Sequence, residues 1–110
     1  MSGQDLILEV QEKIANLNQA LKQLRRQGSA YSEAEHNYRA ALAKKILEER
    51  EKGTPVTIIA DICRGTPNVA QLKLQRDISE VTYNAAKEAC NVYKLQIKIL
   101  DNQIEREFRG

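Results

Sequence analysis

Apolar residues recur at helical spacing almost from the start of the chain. Ile7, Val10, Ile14, Leu17, Leu21 and Leu24 are separated alternately by three and four residues, which is the heptad spacing of a helix packed along one seam. The same phase continues through Gly28, Tyr31, Glu35, Tyr38 and Leu42. Gly28-Ser29 has the look of a helix stop, and Ser32 with Glu35 the look of a capping box for a new start. A true turn would reset the phase, however, and one interior glycine costs a helix only about 1 kcal/mol. The first arm is therefore expected to run unbroken over about residues 5–52. Asp5, Glu9 and Glu12 lie near its start, where the helix dipole favours negative charge. Gly53 supplies the stop at its other end.

A second arm is expected over about residues 67–108, with neither proline nor glycine between Pro67 and Phe108. Leu72, Arg76, Ser79, Tyr83, Ala86, Cys90, Tyr93, Ile97, Leu100 and Ile104 keep heptad spacing. A second stripe, Leu74, Ile78, Val81, Ala85, Ala89, Val92 and Ile99, runs beside the first. One helix with two apolar stripes has more face than a single partner can cover. The two arms mesh as an antiparallel pair when facing residue numbers sum to about 118: Val10 with Phe108, Ile14 with Ile104, Leu42 with Arg76. This register sets the small Cys90 against Gly28 and Ala86 against Tyr31, and centres the bend near residue 59. The fold predicted is all-α: a single domain formed as a long, coiled-coil-like antiparallel helical hairpin. A hairpin of two helices has a thin core. The spare stripe, through Leu74, Ile78, Val81, Ala85, Val92 and Ile99, is expected to bury against another copy, with a dimeric four-helix bundle the simplest closure.

Between the arms lies the loop, residues 53–66, in the stretch GTPVTIIADICRGTP that holds both prolines. Pro55 ends any helix before it, and the β-branched residues that follow read as extended. Ala60 to Arg64 reads as one helical turn closed by Gly65, and Thr66-Pro67 as N-cap and first position of the second arm. Val56, Ile58, Ile59 and Ile62 are too apolar for a plain connector. Either they plug the end of the hairpin, or they form a partner or ligand site with polar contacts from Thr54, Thr57, Asp61 and Arg64, joined by Arg76 and Tyr83. A mixed arrangement is also expected, with Val56 and Ile59 pointing inward and Thr57, Asp61 and Arg64 facing out.

Composition narrows the chemistry. With 17 Lys and Arg against 15 Asp and Glu, the net charge is only +2, which selects neither for nor against nucleic acid. Lys44, Lys45, Arg50, Lys52, Arg64, Lys73 and Arg76 gather near the loop, but acids lie among them, and ordinary surface charge is the plain reading. The single histidine, His36, and the two cysteines, Cys63 and Cys90, form neither a metal-ligand pattern nor a disulfide framework. No phosphate-binding glycine loop is present and no nucleophile–base pair suggests itself, so no cofactor, metal or enzymatic activity is expected. The first residues lack a basic segment followed by an apolar run, and no apolar run approaches the ~20 residues that span a bilayer. A cytoplasmic location, away from membranes, is the expectation.

The segments AEHNYRAAL (34–42), ILEEREKGTPVTII (46–59), Asp61-x-x-Arg64-Gly65 and RDISEVTYNAAKEA (76–89) give the chain beyond residue 30 a family look. It resembles small helical-hairpin proteins encoded in prophages of Gram-positive bacteria. The resemblance implies a phage or prophage origin and carries over no catalytic residues. The function expected is a non-enzymatic interaction module that self-associates and engages a protein partner. One rival is a binding protein for a nucleotide or other small anion at the loop end. Another is an accessory protein for single-stranded nucleic acid, its bases stacked on Tyr31, Tyr38 or Tyr83.

Overall fold

The structure, a computed structural model, describes residues 2–109. It is an all-α helical hairpin of α1 (Gly3–Glu51), α2 (Val56–Gly65) and α3 (Pro67–Arg109), with no strand among the described residues. The long helix α1 passes through Gly28-Ser29 without a break, as the unbroken phase predicts. At its start the Ser2 hydroxyl accepts the Asp5 N–H at 3.2 Å, satisfying one of the first-turn donors. At its end Gly53 takes φ +82°, the left-handed conformation that a side chain resists. The Gly53 N–H then donates to the Arg50 carbonyl and the Thr54 N–H to the Glu49 carbonyl, both at 3.1 Å. This pair of bonds is a Schellman motif, which closes the helix and hands the chain to Pro55.

Val56–Ile59 is helical rather than extended, and α2 takes up ten residues of the stretch read as loop. β-Branched residues lose only tenths of a kcal/mol in a helix. The helical spacing buries Ile59 (5% exposed) and Cys63 (0%) together on one face, which outweighs that loss. Val56, expected to point inward, is 79% exposed. Thr66 separates α2 from α3 with an extended backbone. Its hydroxyl donates to the Ile62 carbonyl at 2.9 Å, so it caps the end of α2 while its carbonyl accepts the Ala70 N–H in the first turn of α3.

The chain forms two compact units, Met1–Gln27 with Tyr83–Gly110, and Gly28–Thr82. In the first, Leu6, Cys90 and Leu100 are buried, with Val10, Leu17, Leu24, Tyr93 and Ile97 half-buried about them. Ile7 and Ile14, expected in the seam, are 36% and 43% exposed. The seam here runs through Leu6 and Lys13 beside the column of Val10, Leu17 and Leu24. In the second unit the core is Tyr38, Ile59, Cys63 and Val69, with Glu49 buried beside it. On α3 every member of the expected seam, Leu72 to Ile104, is buried or half-buried.

The antiparallel register differs from the expected one by a single heptad. In the first unit Gly3 lies against the ring of Phe108, and in the second Glu35 pairs with Arg76 at 3.6 Å; both pairs sum to 111 rather than 118. A shift of seven leaves every seam residue on the seam, so the periodic pattern alone does not exclude it. The new centre falls at Pro55–Val56. The bend is the short stretch between α1 and α2, and α2 is the first segment of the returning arm.

Candidate functional site

Two regions carry the residues singled out from the sequence: the turn with α2, and the outer face of α3. At the turn, the Thr54 hydroxyl donates to Glu49 Oε2 at 2.7 Å. Lys45 and Lys52 approach Glu49 Oε1, each at 3.5 Å. The hydrogen bond from Thr54, followed by the two lysine charges, holds the Glu49 carboxyl below its usual pKa against the opposing effect of burial. Thr54 is thus a fastener of the turn. Lys45, Glu49 and Thr54 were not legible as a network, because the 45/49 spacing looks like any surface ion pair until the Schellman turn brings Thr54 back over it.

Arg76 is likewise taken up inside its unit. Its guanidinium reaches Asp77 at 2.9 and 3.0 Å, lies 3.6 Å from Glu35 and stacks 4.6 Å from the centre of the Tyr38 ring. The hydrogen bond to Asp77 leads in raising its pKa further, and Lys73 followed by Arg76 lowers that of Asp77. Tyr83 belongs to the other unit, with the Lys87 ammonium 4.1 Å above its ring. Of the six residues proposed for the loop site, only Thr57, Asp61 and Arg64 share one exposed face, on α2. They stand at i, i+4 and i+7, away from Ile59 and Cys63. Val56, Ile58 and Ile62 are exposed on the same helix, at 79%, 44% and 41%.

The second region is apolar. In the Gly28–Thr82 unit, Leu74, Ile78 and Val81 are 52%, 56% and 69% exposed. In the other unit, Val92, Leu95 and Ile99 are 44%, 58% and 49% exposed, and Ala85 is exposed with them. Each lies two residues beyond a seam position, about 200° round the helix by heptad geometry. The stripe is therefore nearly opposite the seam rather than beside it. Leu95 belongs to this stripe although it was not picked out with it; its place, two heptads beyond Val81, was the available signal. A hollow of about 290 Å³ opens on this face, bordered by Asp77, Ile78, Val81 and Thr82. A larger groove of about 640 Å³ lies between α1 and α3 in the first unit, with Leu6, Ile99 and Leu100 along it and Glu9, Lys13 and Arg106 at its edge. Beside it the Gln96 Oε1 is buried without a hydrogen-bond partner.

Among the described residues no group of three or more His, Cys, Asp or Glu is placed to hold a metal ion, and both cysteines are free and buried. Among the described residues no helix is long and apolar enough to cross a membrane. Comparison of the chain with protein-family models, curated proteins and solved structures finds no match.

Proposed function

We propose that this chain is a non-enzymatic helical interaction module that works as a self-associated assembly, an accessory protein of a phage or prophage acting in the cytoplasm. The observation that carries self-association is the outer face of α3. Six large apolar side chains, Leu74, Ile78, Val81, Val92, Leu95 and Ile99, stand there between 44% and 69% exposed. Three of them stand in file in each unit, and grouped exposed apolar side chains mark an interaction surface rather than a solvated one. Burying the exposed half of each is worth about 1 kcal/mol. Twelve such side chains in a pair of copies give about 12 kcal/mol gross, within the range of about 4–15 kcal/mol that association costs. The face therefore suits a modest dimer stabilised further by its rim contacts.

The phage or prophage setting rests on the resemblance of residues 34–42, 46–59 and 76–89 to prophage-encoded hairpins. α2 offers the surface for a different protein partner, with Val56, Ile58 and Ile62 exposed beside Thr57, Asp61 and Arg64. The small-anion reading has less to draw on, because Thr54 and Arg76 already hold Glu49, Asp77 and Glu35.

Light scattering across a concentration series tests self-association. The mass should rise from the 12.5 kDa of one chain to at least twice that at micromolar concentration. Replacing Ile78 and Val81 together by Glu should return it to one chain without loss of helix, since both positions are exposed in the single hairpin. A wild-type chain that stays at the single-chain mass at 100-fold higher concentration refutes the reading.

A further inference from the structure

The outer face of α3 is not merely apolar; it reads the same in both directions. Reflected about the midpoint of residues 86 and 87, Leu74 falls on Ile99, Ile78 on Leu95, Val81 on Val92 and Ala85 on Glu88, every pair summing to 173. The positions flanking this stripe pair across the same two-fold axis two residues out of step, with sums of 175 on one side and 171 on the other. On one side Asp77 falls opposite Lys98 and Asn84 opposite Asn91; on the other, Gln75 falls opposite Gln96 and Thr82 opposite Ala89. An isologous two-fold interface needs a surface complementary to its own reflection.

We infer that two copies pair through α3 in antiparallel fashion, with the two-fold axis between Ala86 and Lys87, so that α3 of each copy lies between its own α1 and the partner's α3. This deepens the proposed self-association and rests on it.

Two further observations support this register. Lys98 has no ion pair among the described residues, and the pairing sets it facing Asp77 of the second copy. The hollow between Asp77, Ile78, Val81 and Thr82 lies where Val92 and Leu95 of the second copy arrive, as knobs entering a hole. Other registers fare worse. Slipping the pair by one heptad in one direction sets Glu88 against Ile78; slipping it the other way sets Glu88 against Val92 and Leu74 against Arg106. In the proposed register Glu88 meets only the small Ala85, which leaves its carboxylate room to reach the rim. A lone polar residue in an apolar seam is a known means of specifying register.

Disulfide trapping tests the pairing. Val81→Cys and Val92→Cys are made separately, at positions 69% and 44% exposed, so neither should disturb the fold. Under mild oxidation an equimolar mixture should give a covalent heterodimer, because residue 81 of one copy faces residue 92 of the other. Each variant alone should give little, because like positions lie eleven residues apart along the pair, about 16 Å, beyond the reach of a disulfide. Light scattering on the same samples separates the two claims. A dimer in which Val81→Cys bridges to itself, or in which the mixture does not bridge, overturns the antiparallel register and leaves self-association standing. A single-chain mass with no bridging overturns both.

Discussion

Replacing Ile59 and Ile58 by Ala, one at a time, separates what α2 does for the fold from what it offers to a partner. The two are adjacent and chemically identical, but Ile59 is 5% exposed and Ile58 is 44% exposed. Ile→Ala removes three carbons, worth about 2.4 kcal/mol at about 0.8 kcal/mol each when fully buried. At Ile59 a residual cavity adds to this, since Cys63 and Val69 nearby in the same core are themselves fully packed (0% and 2% exposed); the total should be about 3 kcal/mol. At Ile58 nearly half of that surface already faces water, so the loss should be about 1 kcal/mol. For a chain of this size 1 kcal/mol moves the melting temperature by about 4 °C. Ile59→Ala should then melt about 12 °C below the wild type and Ile58→Ala about 4 °C below. Circular dichroism at 222 nm, at a protein concentration where light scattering gives one chain, measures both. Equal losses, or a larger loss at Ile58, would refute the burial of α2 through Ile59 and Cys63. Partner capture should respond in the opposite order, with Ile58→Ala the more damaging.

Glu49→Gln should destabilise the hairpin at neutral pH. Because the folded-state pKa of Glu49 lies below its ordinary value of 4.5, the ionised group stabilises above that value and loses the effect as pH falls through the lower folded pKa. The gap in melting temperature between wild type and variant should therefore narrow as pH falls below 4.5; a gap constant with pH would mean the Thr54 and lysine contacts do not favour the ionised form. Gly53→Ala, at φ +82°, should cost about 1 kcal/mol in urea unfolding. Gly65→Ala, in open space and without a left-handed φ, should be neutral or stabilise by up to about 1 kcal/mol. Single-stranded DNA should bind with Kd above about 10 μM at physiological salt, measured by fluorescence anisotropy; tight binding lost on replacing Lys44, Lys45 or Arg64 would show that the basic residues near the turn form a surface of their own.

Much of this molecule is legible in its residues taken one neighbourhood at a time. The two long helices follow from a period that never resets, including across Gly28, where a glycine alone is too weak to break a helix of 49 residues. Gly53 as stop and Thr66-Pro67 as restart follow from backbone chemistry that depends on a few adjacent residues. The apolar outer stripe of α3 follows from counting, because one seam leaves Leu74, Ile78, Val81, Val92 and Ile99 over. Three features needed the tertiary structure. The register between the arms was ambiguous by one heptad, since a periodic pattern matches itself after seven residues, and only the short Gly53–Pro55 turn selects the pairing of Gly3 with Phe108 and Glu35 with Arg76. The helix α2 was hidden because the β-branched Val56-Thr57-Ile58-Ile59 run favours strand by a few tenths of a kcal/mol per residue, a preference reversed by burying Ile59 and Cys63 on one helical face. The roles of Thr54 and Arg76 were open because a polar side chain near a bend serves a ligand or the fold equally well by residue type. Proximity decided it: the turn at Gly53 brings Thr54 to 2.7 Å from Glu49, and the meeting of the two arms stacks Arg76 4.6 Å from Tyr38.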